Sequence, residues 1–183
     1  TGKRVAVVGA GPAGLTVAGA LARKGHAVTV YDAFPKPGGV LLYGIPEFRL
    51  PNAIVEAEVR ALQDMGVTFV MNTLVGRAMT LGELRETYDA VFLGTGAGLP
   101  KLLGVPGEDL KGVYTANEFL TRVNLMGADR FPDQGTPVTV GRRTIVVGCG
   151  NTAMDAARCA RRLGADVTVV YRRSVAESTA RQE

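Results

Sequence analysis

A chain of 183 residues, 46% apolar and 21% charged, has room for one ordinary domain or two small ones and the composition of a globular protein with a real core. Its net charge of +4 comes from basic residues spread along the chain, densest where cofactor phosphate is an alternative partner, so it does not argue for nucleic acid. No apolar stretch approaches the ~20 residues that span a bilayer and no signal-peptide pattern occurs, which points to the cytoplasm, while Cys149 and Cys159, ten apart, form no C-x-x-C pair, zinc spacing or iron-sulfur ligand set.

Val5 to Val8 is a continuous apolar run, the pattern of a strand covered on both faces of a parallel sheet. It delivers Gly9-Ala10-Gly11-Pro12-Ala13-Gly14, a G-x-G-x-x-G turn. The first glycine permits the tight turn, the second lets backbone approach a pyrophosphate, and the third lets helix pack on strand. Pro12 suits a first helical turn, where the remaining free N–H groups and the helix dipole favour a phosphate. Leu15, Ala18 and Leu21 recur at helical spacing, Gly25 ends the helix, and Val28 to Tyr31 is the next strand. It places Asp32 eighteen residues beyond Gly14, where a carboxylate can accept a ribose hydroxyl. Strand, turn, helix, strand and acid together predict a dinucleotide-binding unit.

Residues 33–51 are rich in proline and glycine but too apolar for a solvated linker. Gly38 and Gly39 let backbone approach a large flat ligand, or simply make a turn before the next helix. In residues 52–65 the stripe Ile54, Val55, Val59, Leu62, Met65 predicts a helix used for core packing. A strand over Val67–Met71, a short helix over Leu81–Tyr88 and an apolar strand over Ala90–Leu93 follow, the last running into a second glycine turn at Gly94 to Gly98. Residues 99–112 read as a crossing between domains, residues 116–126 as a helix carrying Phe119, Leu120 and Val123, and 127–137 as a polar loop.

The opening unit then recurs: Arg143 to Tyr171 matches Arg4 to Asp32 at a constant offset of 139, aligning Gly9 with Gly148, Gly11 with Gly150, Gly25 with Gly164 and Val28 with Val167. The copies differ in three informative places. Ala153 stands for the third glycine, the next smallest side chain at that contact. Asn151 replaces Pro12, leaving a backbone N–H and an amide at the helix start, for a ligand or for capping. Tyr171 replaces Asp32 and is followed by Arg172 and Arg173; an acid there would repel a 2'-phosphate and guanidinium groups bind it, so this copy favours NADP over NAD.

GAGPAG, PGGVLLYGIPEFRLP, YDAVFLGTGAGLP, NEFLTRVNLM, VVGCGNTAMDAAR and VYRRS together resemble the flavin- and NADPH-binding part of the glutamate synthase small subunit family. That family is itself similar to the large subunit of NADH-dependent ferredoxin:NADP oxidoreductase and the amino-terminal half of dihydropyrimidine dehydrogenase. The resemblance implies FAD with its pyrophosphate on Gly9 to Gly14 and its adenosine ribose on Asp32. It further implies contacts from Gly38, Gly39, Val40 and Arg49, adenine at the Val75 backbone, and Thr95 and Gly96 on the flavin side. NADPH would lie on Gly148, Cys149, Gly150, Asn151, Thr152 and Ala153, with Arg172 and Arg173 at its 2'-phosphate. No catalytic acid or base and no metal ligand is implied in this chain. Iron-sulfur clusters would belong to missing or partner regions, with an iron-sulfur domain or large subunit as electron acceptor. Where the family has Met-Pro-Ala, this chain reads Ser178-Thr179-Ala180, which bears on the local loop and on a phosphate contact from Arg181.

The expected fold is α/β with two Rossmann-like units, an FAD-binding domain over residues 1–98 and the start of an NAD(P)H-binding domain over 99–183. With Thr1 in place of methionine and a charged run at the end, the chain reads as part of a longer protein. Two other functions stay open: a disulfide reductase relative, which predicts a C-x-x-C pair that this sequence lacks, and a non-catalytic module that only holds nucleotide.

Overall fold

The computed structural model describes residues 2–130, 132–135 and 137–180. The chain divides into two compact units, Thr1–Leu42 with Leu50–Gly98, and Tyr43–Arg49 with Leu99–Glu183. The sequence places residues 43–49 with the first unit by continuity, whereas side-chain pairs made far along the chain hold them in the second.

The first unit is a parallel four-stranded sheet in the order β3-β2-β1-β4, made of β1 (Arg4–Val8), β2 (Ala27–Tyr31), β3 (Thr68–Val70) and β4 (Ala90–Leu93). In register, Val5 faces Val28 on one side and Ala90 on the other, and Val8 faces Tyr31 and Leu93. Successive β1 side chains alternate faces, so Val7 joins Ala18, Val30 and Val67 in one cluster while Ala6 and Val8 join Tyr31 and Leu84 in another. This burial on both faces is why the strand reads as an unbroken apolar run.

Helix α1 (Pro12–Arg23) follows the glycine turn, and a short helix α2 (Val40–Tyr43) lies inside the stretch read as a cover. Helix α3 (Asn52–Asp64) buries Val55 and Val59 and packs Leu62 on the first cluster. Ile54 and Met65 are exposed, because the helix leans on its neighbour through one narrow stripe: Leu62 Cδ2 stands 2.9 Å from where a Cβ on Gly19 would be. Helix α4 (Leu81–Thr87) is fixed by a capping box in which Glu83 N–H donates to Thr80 Oγ1 and Thr80 N–H donates to the Glu83 carboxylate. It lays Leu84 on the second face, where Tyr31 and Tyr88 share a 2.7 Å hydroxyl bond and burial pushes the Tyr31 phenol up to about 12.

The second unit has a parallel pair, β5 (Arg143–Val147) and β6 (Asp166–Val170), with α5 (Ala116–Asn124) and α6 (Asn151–Arg162). Its core joins Phe119 and Leu120 of α5 to Ala156, Cys159 and Ala160 of α6, so Cys159 serves as a small apolar filler. Thr115 caps α5 by accepting from Glu118 N–H, and the helix ends two residues earlier than its apolar pattern suggests. The fold is therefore α/β with Rossmann-like βαβ units. Among the described residues, no helix is long and apolar enough to cross a membrane.

Candidate functional site

The first unit's site forms at the carboxyl end of β1, where the strand order reverses between neighbours β2 and β4, the place where open α/β sheets leave a crevice. Three segments meet there. Gly9 turns the chain with φ +106°, and a Cβ on it would stand 2.2 Å from Gly94 O. Gly38 N–H donates to Ala10 O at 2.8 Å, and a Cβ on Gly39 would come within 2.6 Å of Gly11 Cα. The Gly38-Gly39 pair and the turn beginning at Gly94 thus pack on the first turn as backbone against backbone. Gly14 is closed as well, since a Cβ there would lie 1.8 Å from Gly9 O.

Gly11 is different. Its φ of −80° suits any residue, and a Cβ on it would meet nothing nearer than Gly39 Cα at 3.9 Å. Neither backbone strain nor packing calls for glycine here, and α1 begins at this residue with no side-chain cap. Open space at a helix start, kept clear by the smallest residue, suits an anionic ligand whose oxygens approach the N–H groups. Asp32 lies beside it, half-buried, its carboxylate accepting from Ala10 N–H at 2.6 Å and Phe34 N–H at 2.9 Å. The acid therefore braces the turn as well as facing it. Val40 is 56% exposed on α2, Val75 forms an isolated bridge with Met79, and Thr95 and Gly96 are exposed past β4.

The second unit repeats the turn. Gly148 has φ +117°, Gly150 is the N-cap of α6 at φ −93°, and a Cβ on Gly150 would meet only Thr179 Oγ1, at 3.5 Å. Asn151 is thus the first helical residue and not the cap, with Thr152 and Ala153 after it. The chain beyond β6 folds back over this turn: Ser178 Oγ donates to Cys149 O at 2.9 Å and lies 3.0 Å from Cys149 Sγ, and Tyr171 OH donates to Glu177 O. Arg172 and Arg173 are exposed at the strand end, and Arg181 lies outside the described residues. Among those residues, no group of three His, Cys, Asp or Glu could hold a metal ion.

Two participants escape sequence reasoning. Ser178 stands where the chain departs from the family's Met-Pro-Ala, but nothing in the sequence says that its hydroxyl reaches the second turn. Asp155 does carry a signal, an acid on a helix stripe otherwise made of Ala156, Cys159 and Ala160, because a charge on a buried stripe needs a partner. That partner is Arg49, whose Nη1 donates to both carboxylate oxygens at 2.8 and 2.6 Å. The side chain that the resemblance assigns to FAD is engaged with α6.

Comparisons with known proteins agree with this architecture. The beta subunit of the NADP(+)-dependent formate dehydrogenase of Moorella thermoacetica is 45% identical over 98% of this chain and 25% of its own length. The small chain of NADPH glutamate synthase from Escherichia coli is 43% identical over 94% of this chain and 37% of its own, so the resemblance read from the motifs holds. FprA from Mycobacterium tuberculosis, solved in complex with NADPH, matches with a TM-score of 0.78 at 27% identity, over 98% of this chain and 45% of that one. The chain thus spans between a quarter and two fifths of the length of these two curated relatives. Residues 3–183 match the pyridine nucleotide-disulphide oxidoreductase family throughout. With two glycine turns, each at the carboxyl end of a parallel strand and each opening a helix, the chain belongs to the pyridine nucleotide-disulphide oxidoreductase family.

Proposed function

We propose that this chain is the FAD- and NADPH-binding part of a flavin oxidoreductase of the glutamate synthase small subunit type, working in the cytoplasm, with residues 1–98 serving FAD and 99–183 serving NADPH. The observation that carries the reading is the pair Gly11 and Gly150: each is glycine where neither φ nor packing demands it, and each opens a helix. Relatives named for NADPH or NADP support the choice of cofactor.

In the first unit the turn from Gly9 to Gly14 holds a pyrophosphate: the N–H groups of Gly9 and Ala10 are engaged with Tyr31 O and Asp32, so those of Gly11, Ala13 and Gly14 face the ligand, and Asp32 offers its remaining lone pairs to the ribose. Gly38, Gly39 and Val40 line the way onward, the Val75 backbone meets the adenine, and Thr95 and Gly96 close the flavin side. In the second unit, Gly148 to Ala153 hold the NADPH pyrophosphate, and Arg172 and Arg173 bind the 2'-phosphate through charge-assisted bonds. When bound, the flavin supplies acceptance of two electrons from the nicotinamide and their release one at a time. The protein's part is position and electrostatics, with no side chain donating or taking a proton. Electrons pass on to iron-sulfur clusters of a partner domain or subunit, a reading supported by relatives named as subunits or small chains.

The test is the visible spectrum of the purified protein, followed by NADPH addition without oxygen. A flavin band that NADPH bleaches is the expected result. A protein with no affinity for flavin sinks the proposal, and bound flavin that NADPH leaves oxidised would make the chain a module that only holds nucleotide.

A further inference from the structure

The segment Tyr43–Arg49 belongs to the second unit and is tied down at both ends. Tyr43 O accepts from Asn124 Nδ2 of α5 at 3.1 Å. At the other end, the Phe48 ring lies under the guanidinium groups of Arg158 and Arg162 of α6, at 4.5 and 3.7 Å from its centroid. Next to it Arg49 grips both oxygens of Asp155, whose side chain is 6% exposed. Among the described residues Asp155 is the sole buried charged residue. A buried carboxylate without its cation is strongly disfavoured, so Asp155 keeps its place only while Arg49 keeps its own.

Asp155 follows Asn151 by four residues on α6, one helical turn. Any rotation of the helix that lets Asp155 reach water also turns the N–H groups of the helix start. We propose that Arg49 is a positioning residue for the second nucleotide turn: by holding Asp155 it sets the orientation in which α6 presents its first N–H groups to a dinucleotide pyrophosphate. This rests on the assignment of Gly148 to Ala153 to NADPH, and it gives Arg49 a role different from the flavin contact that the resemblance implies. Because the pyrophosphate is common to NADPH and NADH, the effect falls on both, unlike that of a residue at the 2'-phosphate.

The experiment measures flavin content, and NADPH and NADH affinity by fluorescence titration, in the full protein carrying Arg49→Met, Arg49→Lys, Asp155→Asn or the Arg49→Met/Asp155→Asn pair. Arg49→Met should keep its flavin and lose affinity for NADPH and NADH alike by roughly tenfold, the scale of one lost hydrogen bond's worth of placement. Arg49→Lys should recover part of the loss. Once Asp155 is Asn, adding Arg49→Met should cost little more, since the charge to be held is gone. Circular dichroism reports folding, and if Arg49→Met does not fold, Arg49→Lys and the double variant carry the test. Loss of flavin with nucleotide affinity unchanged, loss of NADPH alone, or wild-type affinities in every variant overturns the proposal. A wild-type protein that binds neither FAD nor NADPH overturns the functional assignment instead.

Discussion

The two copies of the βαβ unit share most of their backbone hydrogen bonds. Gly9 N–H donates to Tyr31 O and Gly148 N–H to Val170 O; Leu15 pairs with Gly11 as Met154 does with Gly150, and Ala27 with Lys3 as Asp166 does with Arg142. The copies part at the third motif position. An added Cβ on Gly14 would lie 1.8 Å from Gly9 O, whereas the second copy carries a Cβ at this position in Ala153, so the contact of α1 with its turn has no room for the side chain that α6 accommodates. They part again at the loop that returns to the turn. Gly38 N–H holds the Ala10 carbonyl in the first copy, and the Ser178 hydroxyl holds the Cys149 carbonyl in the second. The same contact is made by main chain in one and by side chain in the other. Repeated backbone geometry thus leaves room for different chemistry where the second strand ends.

The largest expected effect breaks the comparison at its tightest point. Gly14→Ala forces backbone against backbone and should destabilise the first unit by roughly 3 kcal/mol, the upper part of the overpacking range, while Ala153→Gly should cost the second unit only about 0.5 to 1 kcal/mol through helix propensity. Urea midpoints of the two variants decide it, and similar shifts would mean that both contacts have room for a Cβ. Next comes the acid present in one copy alone. Asp32→Ala removes two bonds from backbone N–H groups and the proposed ribose acceptor, each charge-assisted bond being worth ~1.5 to 3 kcal/mol. Its FAD affinity should fall at least tenfold in equilibrium dialysis, and unchanged affinity in a folded variant would leave Asp32 as a brace for Ala10 alone.

A comparable but narrower effect belongs to the second copy, where Arg172→Ala or Arg173→Ala should lower NADPH affinity by roughly ten- to hundredfold, at ~1.4 kcal/mol per tenfold, with NADH affinity little changed. Equal loss of both nucleotides would make the arginines a plain basic strand end. The smallest effect concerns the middle residue of each turn, Ala10 in one and Cys149 in the other. Cys149→Ala should bind NADPH as the wild type does. Ser178→Ala should speed alkylation of Cys149, because the hydroxyl now lies 3.0 Å from its sulfur. An unaltered alkylation rate would show that the returning loop does not shield the thiol.

Much of the fold is legible in the sequence because it rests on local rules. Apolar runs, helical spacing and glycine turns place β1, α1, β2, β4, β5 and α6 to within a residue or two, and the offset of 139 reveals the second copy before any coordinates. Burial was harder to read. Val5 to Val8 and Ile145 to Val147 share one pattern, yet the former are buried and Ile145 and Val147 are exposed, since β1 is packed on both faces while burial along β5 alternates and leaves the face of Ile145 and Val147 uncovered among the described residues. On the α3 stripe Val55 and Val59 are buried while Ile54 and Met65 are exposed, because periodicity marks a face but not how wide its contact is. The four-residue α2 is too short to carry a period. The Arg49 and Asp155 pair spans 106 positions, and nothing local in the sequence names the partner of either residue.

The burial of Asp155 sets the salt bridge that Arg49 makes apart from the other arginines of the second unit. Salt weakens contacts between solvent-exposed charges and weakens those around an enclosed charge much less. Asp155 is enclosed, whereas Arg172 and Arg173 stand in solvent. As ionic strength rises, the grip of the exposed pair on a 2'-phosphate should fade while the orientation of α6 persists. On the proposed assignment the protein would then come to treat the phosphorylated and unphosphorylated nucleotides more alike, without losing the shape of the turn proposed to receive both.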